Sequence, residues 1–221
     1  MRRAWACATA ATVVVAWPMS GSAAASPEQP VPPVSDAARA AGLVDVRSAV
    51  PDAVIDLRYA TTDNFVGEQM YPADARCLVD GSMAPRLSAA AARLRPGGEA
   101  LVFWDCYRPH DVQVRMYEAV ADPGWVARPG PYARSHEAGL SVDVTLTREG
   151  ALVDMGTGFD EFTPRANAYA TEGVSSAAQA NRARLRDAMA ARGLSVYDGE
   201  WWHFDAPGAY AQHPILDAPV N

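Results

Sequence analysis

Apolar and polar positions follow two rhythms along this chain, and the changes of rhythm mark its elements. In "GLSVDVTLT", Leu140, Val142, Val144 and Leu146 fall on one side of an extended chain, and Ser141, Asp143 and Thr145 on the other. "REG" then makes a turn and "ALVDM" a return strand, so the stretch predicts a hairpin. "ALVFWDCYR" is a second apolar strand, stopped at Pro109 because proline has no N–H for a ladder. "AVIDLRYA" reads as a further strand and "LSVYDGEWWHFD" as the last strand region. Helical spacing runs through "SDAARAA", ended by Gly42, and through "APRLSAAAARLRPGG", with Pro85 near its start. "DVQVRMYEAVA" is a third helix with Asp111 as its expected N-cap, and "SSAAQANRARLRDAMAARG" a fourth, closed by Gly193. A long polar and aromatic loop, "TTDNFVGEQMYPADARC", separates the early strands from the second helix. Helices and strands mix without βαβ alternation. The predicted fold class is α+β, a single domain with a mainly antiparallel central sheet flanked by helices.

The first residues change the picture of where the chain works. "MRR" is a basic start, "AWACATAATVVVAWPM" an apolar run, and "SGSAAAS" a small-residue end with an A-x-A match at Ala23 to Ala25. Pro18 and the polar Ser-Gly-Ser interrupt the run before it reaches the roughly 18 apolar residues of a membrane span. Residues 1–25 are therefore expected to be a signal peptide, 26–40 a Pro-rich leader, and 41–221 the domain. The expected location is outside the cell or in its envelope. The formal charge is −7, and cleavage would remove Arg2 and Arg3 with no acid, leaving the chain more negative still. Such a chain, without a basic cluster, excludes nucleic acid as a partner and, after cleavage, a membrane surface. Export also leaves two cysteines, Cys77 and Cys106, and an even pair in an oxidising compartment reads as a disulfide.

Candidate chemistry rests on four histidines. His110 and His213 each sit beside a proline without useful acidic spacing and read as ordinary hydrogen-bonded residues. His136 precedes the alternating strand whose polar side carries Asp143. His203 lies in "EWWHFD", with Glu200 three residues earlier. Two imidazoles and one carboxylate form a known ligand set for catalytic zinc, with the fourth position left to water. Such a water needs a carboxylate to take its proton, and Glu200 is the candidate base. On a regular strand Glu200 and His203 would face opposite sides, so the backbone must turn or bulge between Gly199 and Trp202.

"SHEAGLSVDVTL" and "EWWHFD", with "WDCYRPH" and "DLRYATTDNFVG", resemble the VanX-type D-alanyl-D-alanine dipeptidases. These belong to the zinc peptidases that also include D,D-carboxypeptidases and the Hedgehog signalling domain. The resemblance runs from about Asp45 to Val220 with the motifs in family order. It implies one zinc per chain held by His136, Asp143 and His203 in a cleft at the sheet, with Glu200 as base and Arg108 stabilising the transition state. It implies that Asp160 holds the substrate's free amino group and that Tyr59 is a further substrate contact. Family members often carry serine two places before the first histidine. Here that place is Arg134, and Ser135, one residue on, is the candidate contact. Cys106 stands where glycine is common, in keeping with a local disulfide. The implied activity is hydrolysis of a small D-amino dipeptide in cell-wall turnover. The alternatives are a D,D- or L,D-carboxypeptidase on stem peptides, or a binding module with a structural zinc.

Overall fold

The computed structural model describes residues 31–221; the expected signal peptide and the first part of the leader lie outside the described residues. In chain order the elements are α1 (Asp36–Ala40), β1 (Leu43–Asp45), β2 (Val54–Ile55), β3 (Leu78–Asp80), α2 (Ala84–Leu94), β4 (Glu99–Asp105), α3 (His110–Ala119), β5 (Ser141–Arg148), β6 (Ala151–Leu152), α4 (Ser176–Ala190), β7 (Ser195–Val196) and β8 (His203–Asp205). The main sheet has the order β2-β4-β5-β8-β7, with β6 closing the hairpin on β5, and β1 pairs with β3 in a small separate sheet. All pairings are antiparallel except β2 with β4. The α+β class read from the sequence is the one observed.

The period-two pattern of β5 sets the layers. Val142, Val144 and Leu146 share one apolar core with Leu101 and Phe103 of β4, with Leu87 and Leu94 of α2, and with Leu185 and Met189 of α4. The opposite side of β5 carries Ser141, Asp143 and Thr145, also buried. Burying that polar side is costly unless each group finds a partner, which marks this face as the one with chemistry to do.

Local sequence explains the helix starts. Ser35 and Ser175 accept the Ala38 and Ala178 amides and cap α1 and α4. The third helix differs from expectation. It begins at His110, directly after Pro109, with no side-chain cap, and Asp111 sits inside the first turn, where a negative charge still favours the helix dipole. The strand expected over "AVIDLRYA" is also shorter. Only Val54–Ile55 pair, and the chain then winds into a 3-10 turn, Arg58–Ala60, that sends Tyr59 into the interior. The folded body starts within the expected leader: Ala38 of α1 is fully buried, and Arg76 donates to the carbonyls of Pro32 and Pro33.

Candidate active site

Sheet register assembles the centre. Asp105 of β4 stands opposite Asp143 of β5, and Asp143 stands opposite His203 of β8. The three form a row across the sheet, and His136 joins them from the 3-10 turn Ser135–Ala138. That turn ends at Gly139 with φ +68°; a Cβ there would meet the Asp80 amide at 2.9 Å, so only glycine lets the turn pack on β3. Between β7 and β8 the backbone turns at Asp198–Gly199 and again at Trp201–Trp202. A Cβ on Gly199 would lie 2.6 Å from the Tyr197 ring. The turn required for Glu200 and His203 to share one side is present. The Glu200 carboxylate ends 4.0 Å from His203 Nδ1.

Three atoms converge on one point. His136 Nε2 lies 3.1 Å from His203 Nδ1 and 3.3 Å from Asp143 Oδ1, and His203 Nδ1 lies 3.1 Å from the same oxygen. The far side of each ring is committed. His136 Nδ1 donates to the Cys106 carbonyl at 2.8 Å, and His203 Nε2 to Asp205 Oδ1 at 2.9 Å. With both rings neutral, two lone pairs and a carboxylate oxygen face each other with no hydrogen among them. Such a buried arrangement is repulsive unless a cation fills it. The spacing fits a divalent metal: a tetrahedron with ligand bonds of about 2.0–2.1 Å has edges of about 3.3 Å. Burial disfavours a charged His203 ring, but Asp205 and Asp143 outweigh it and hold its pKa well above the usual histidine value.

A cavity of about 660 Å³ opens on this point, lined among others by Tyr59, Arg108, Ser135, Asp160, Glu200 and Tyr210. Burial pushes the Glu200 carboxyl up to about 8, with His203 and Arg108 opposing and Asp143 adding to the rise. Burial also raises Asp160 well above the carboxylate range, helped by Asp143 and Glu200, against the hydrogen bond that Tyr59 donates at 2.9 Å. Asp160 has φ +54°, and Ser135 φ +51°. Left-handed backbone at a non-glycine residue costs on the order of 1–3 kcal/mol and persists where surrounding structure imposes it. Arg108 is buried and clamped. Its Nε and Nη2 reach Asp105 Oδ2 at 3.0 and 2.7 Å, and its Nη1 reaches Gln113 at 2.6 Å. The guanidinium lies over the Tyr59 ring and 4.0 Å from Asp143 Oδ2.

The expected metal, catalytic and substrate-contact residues, Tyr59, Arg108, Ser135, His136, Asp143, Asp160, Glu200 and His203, all line this cavity, whereas His110, His213, Cys77 and Cys106 do not. Ser135 is on the wall, but its hydroxyl donates to Ser141 and lies 3.3 Å from His203 Nε2, so it backs the metal-facing ring. His110, read as lacking acidic company, pairs with Glu137 across the chain. The sequence reading missed Asp105, Gln113 and Asp205. Asp205 had a visible signal, because residues two apart on a strand share a face and His203-Phe204-Asp205 is such a pair. Cys77 and Cys106 meet with Cα atoms 5.2 Å apart, inside the disulfide range.

The Peptidase_M15 family, described as D-ala-D-ala dipeptidase, matches residues 39–221. The chain belongs to this family. It is 38% identical over 175 residues to a D-alanyl-D-alanine dipeptidase of Escherichia coli (strain K12), covering 79% of this chain and 89% of that protein. To a D-alanyl-D-alanine dipeptidase of Enterococcus faecium it is 30% identical over 189 residues, 72% of this chain and 91% of the other. A structure of VanYB in complex with D-Alanine-D-Alanine aligns at 18% identity with a TM-score of 0.38, over 60% of this chain and 73% of that one. Family membership makes the chain a zinc metallopeptidase, in agreement with the His136, Asp143 and His203 donor set.

Proposed function

We propose that this protein hydrolyses D-alanyl-D-alanine, or a closely similar D-amino dipeptide, using one zinc per chain held by His136, Asp143 and His203. The observation that carries the reading is the donor-free vertex of two imidazoles and a carboxylate beside a second, proton-accepting carboxylate. Zinc at that vertex would lower the pKa of a water toward about 7 and polarise the scissile carbonyl. Glu200 is the base that takes the water's proton and returns it to the leaving amine. Its carboxylate ends 4.0 Å from His203 Nδ1, beside the point where the metal-bound water would sit. Arg108, locked by Asp105 and Gln113, presents fixed positive charge where the carbonyl oxygen becomes negative. Asp160 presents its carboxylate to the substrate ammonium, and Tyr59 holds one of its oxygens in place by donating to it. A buried carboxylate that needs an ammonium favours a dipeptidase over a carboxypeptidase, and Glu200 with Arg108 disfavours a module that only binds.

The export reading is part of this proposal and rests on the N-terminal sequence. An exported enzyme meets dipeptides released by wall turnover, and the Cys77–Cys106 pair is then oxidised. The deciding experiment is release of D-alanine from D-Ala-D-Ala by zinc-loaded protein, abolished by chelation and restored by zinc. N-acetyl-D-Ala-D-Ala should be cleaved up to about 10⁴-fold less well, because Asp160 would be buried against a neutral amide. Equal cleavage of the acetylated dipeptide would transfer the assignment to a carboxypeptidase.

A further inference from the structure

The cavity is far larger than D-Ala-D-Ala needs; at about 660 Å³ it lies in the range of drug-sized ligands. Its extra space has a defined character. Three loops bring Phe65, Trp125 and Phe162 to one wall, all half-buried and all lining the cavity. Trp125 stacks on Phe162 with centroids 5.3 Å apart and planes 22° apart, and Phe65 meets Phe162 at 5.2 Å. Met116 and Val126 line the same cavity and are buried in the same apolar cluster. The wall adjoins the amine end of the site. Tyr59, which donates to Asp160, packs edge-on against Phe65, and Phe162 lies two residues beyond Asp160.

That adjacency has a chemical consequence. In a dipeptide the side chain of the first residue leaves the same carbon as the ammonium. A substrate whose ammonium sits on Asp160 therefore carries that side chain beside the Tyr59–Phe65–Phe162 surface. A methyl group would cover little of it, whereas an aromatic ring could stack on it and bury apolar area. We infer that Phe65, Phe162 and Trp125 form a side-chain subsite, and that the enzyme takes dipeptides whose amino-terminal D-residue is large and apolar or aromatic. This rests on the dipeptidase reading and names the substrate class of that same site.

The test compares kcat/KM of zinc-loaded protein for D-Phe-D-Ala and D-Ala-D-Ala. The wild type should cleave D-Phe-D-Ala at least as efficiently as D-Ala-D-Ala. In Phe162→Ala and in Trp125→Ala the ratio of the two efficiencies should fall by about 10-fold or more, the scale of an apolar pocket's discrimination. A wall that serves only to hold the loops would lower both efficiencies together and leave the ratio unmoved, which would overturn the inference. Rejection of D-Phe-D-Ala by a wild type that cleaves D-Ala-D-Ala would overturn it also, with the dipeptidase reading intact. Cleavage of neither dipeptide would sink both. Should one alanine variant fail to fold, Phe162→Leu keeps apolar volume without the ring, and the same ratio is read from it.

Discussion

Replacing Asp205 with alanine tests whether the metal site depends on what lies behind its ligands. The Asp205 carboxylate is buried and accepts from His203 Nε2 at 2.9 Å, from Tyr210 at 2.8 Å and from Ser141. Burial works to raise its pKa, but His203 and these hydrogen bonds prevail and hold it below the usual carboxylate range. Without it the His203 Nε2 hydrogen has only the Ser135 hydroxyl, at 3.3 Å. The ring then loses both its preferred tautomer and its orientation toward the vertex. Outer-shell partners of this kind contribute about 10–100-fold to metal affinity, equivalent to about 1.4–2.7 kcal/mol. The assay is zinc competition with a chelator of known affinity, followed by kcat at saturating zinc. Asp205→Ala should weaken binding within that range and recover much of its turnover when zinc is in excess. Asp205→Asn, which keeps an acceptor oxygen, should fall between alanine and the wild type. Zinc affinity unchanged in Asp205→Ala would refute the argument that this carboxylate holds the ligand.

Glu200→Ala should keep its zinc and lose about 10²–10⁴-fold in turnover; near-normal rates in a zinc-loaded variant would mean that another group is the base. Arg108→Ala should lower kcat by about 10²–10³-fold, with KM for D-Ala-D-Ala less affected, as steady-state kinetics would show. Joint replacement of Cys77 and Cys106 by serine opens a link across 29 residues and should cost about 3–4 kcal/mol in denaturant unfolding. The same variant should lose kcat with zinc still bound, because the Cys106 carbonyl orients His136 and Arg108 follows two residues later. Acid sensitivity should involve Asp45, where burial raises the pKa but hydrogen bonds from Arg47 and Arg76 bring it below the ordinary value. A depressed folded-state pKa stabilises the fold above the unfolded-state value of about 3.9 and loses that contribution as pH falls through the folded value. Asp45→Asn should therefore be less stable at neutral pH and lose less on acidification; parallel losses in both proteins would refute this.

What could be read from the sequence was whatever has a local cause. The alternation through Val142, Val144 and Leu146 is a backbone period and needs no knowledge of the rest of the chain. Gly199 marks a bend that local chain geometry already demands, and histidines are few enough that His136 and His203 stand out. What could not be read depends on contacts distant in sequence. Tyr59 sits in a short 3-10 turn because its hydroxyl reaches Asp160, 101 residues away, and its ring meets Phe65, Tyr71 and Phe159. No periodicity in "AVIDLRYA" contains that information. Asp105 reads as one more acid on a strand until register sets it opposite Asp143 and within reach of Arg108 and Tyr71.

Register is also where fold and chemistry become one constraint. Asp105, Asp143 and His203 meet because β4, β5 and β8 are aligned at those positions. In a strand of period two, a slip of one residue turns every side chain to the opposite face. A slip of β5 would carry Asp143 into the apolar core beside Phe103 and expose Val142 and Val144 to the cavity. It would lose apolar burial and strand a carboxylate in one step, each costing on the order of 1–3 kcal/mol. The apolar pattern that selects the correct register therefore also holds the three donor atoms in place. Metal binding, by stabilising only the aligned state, strengthens the same choice.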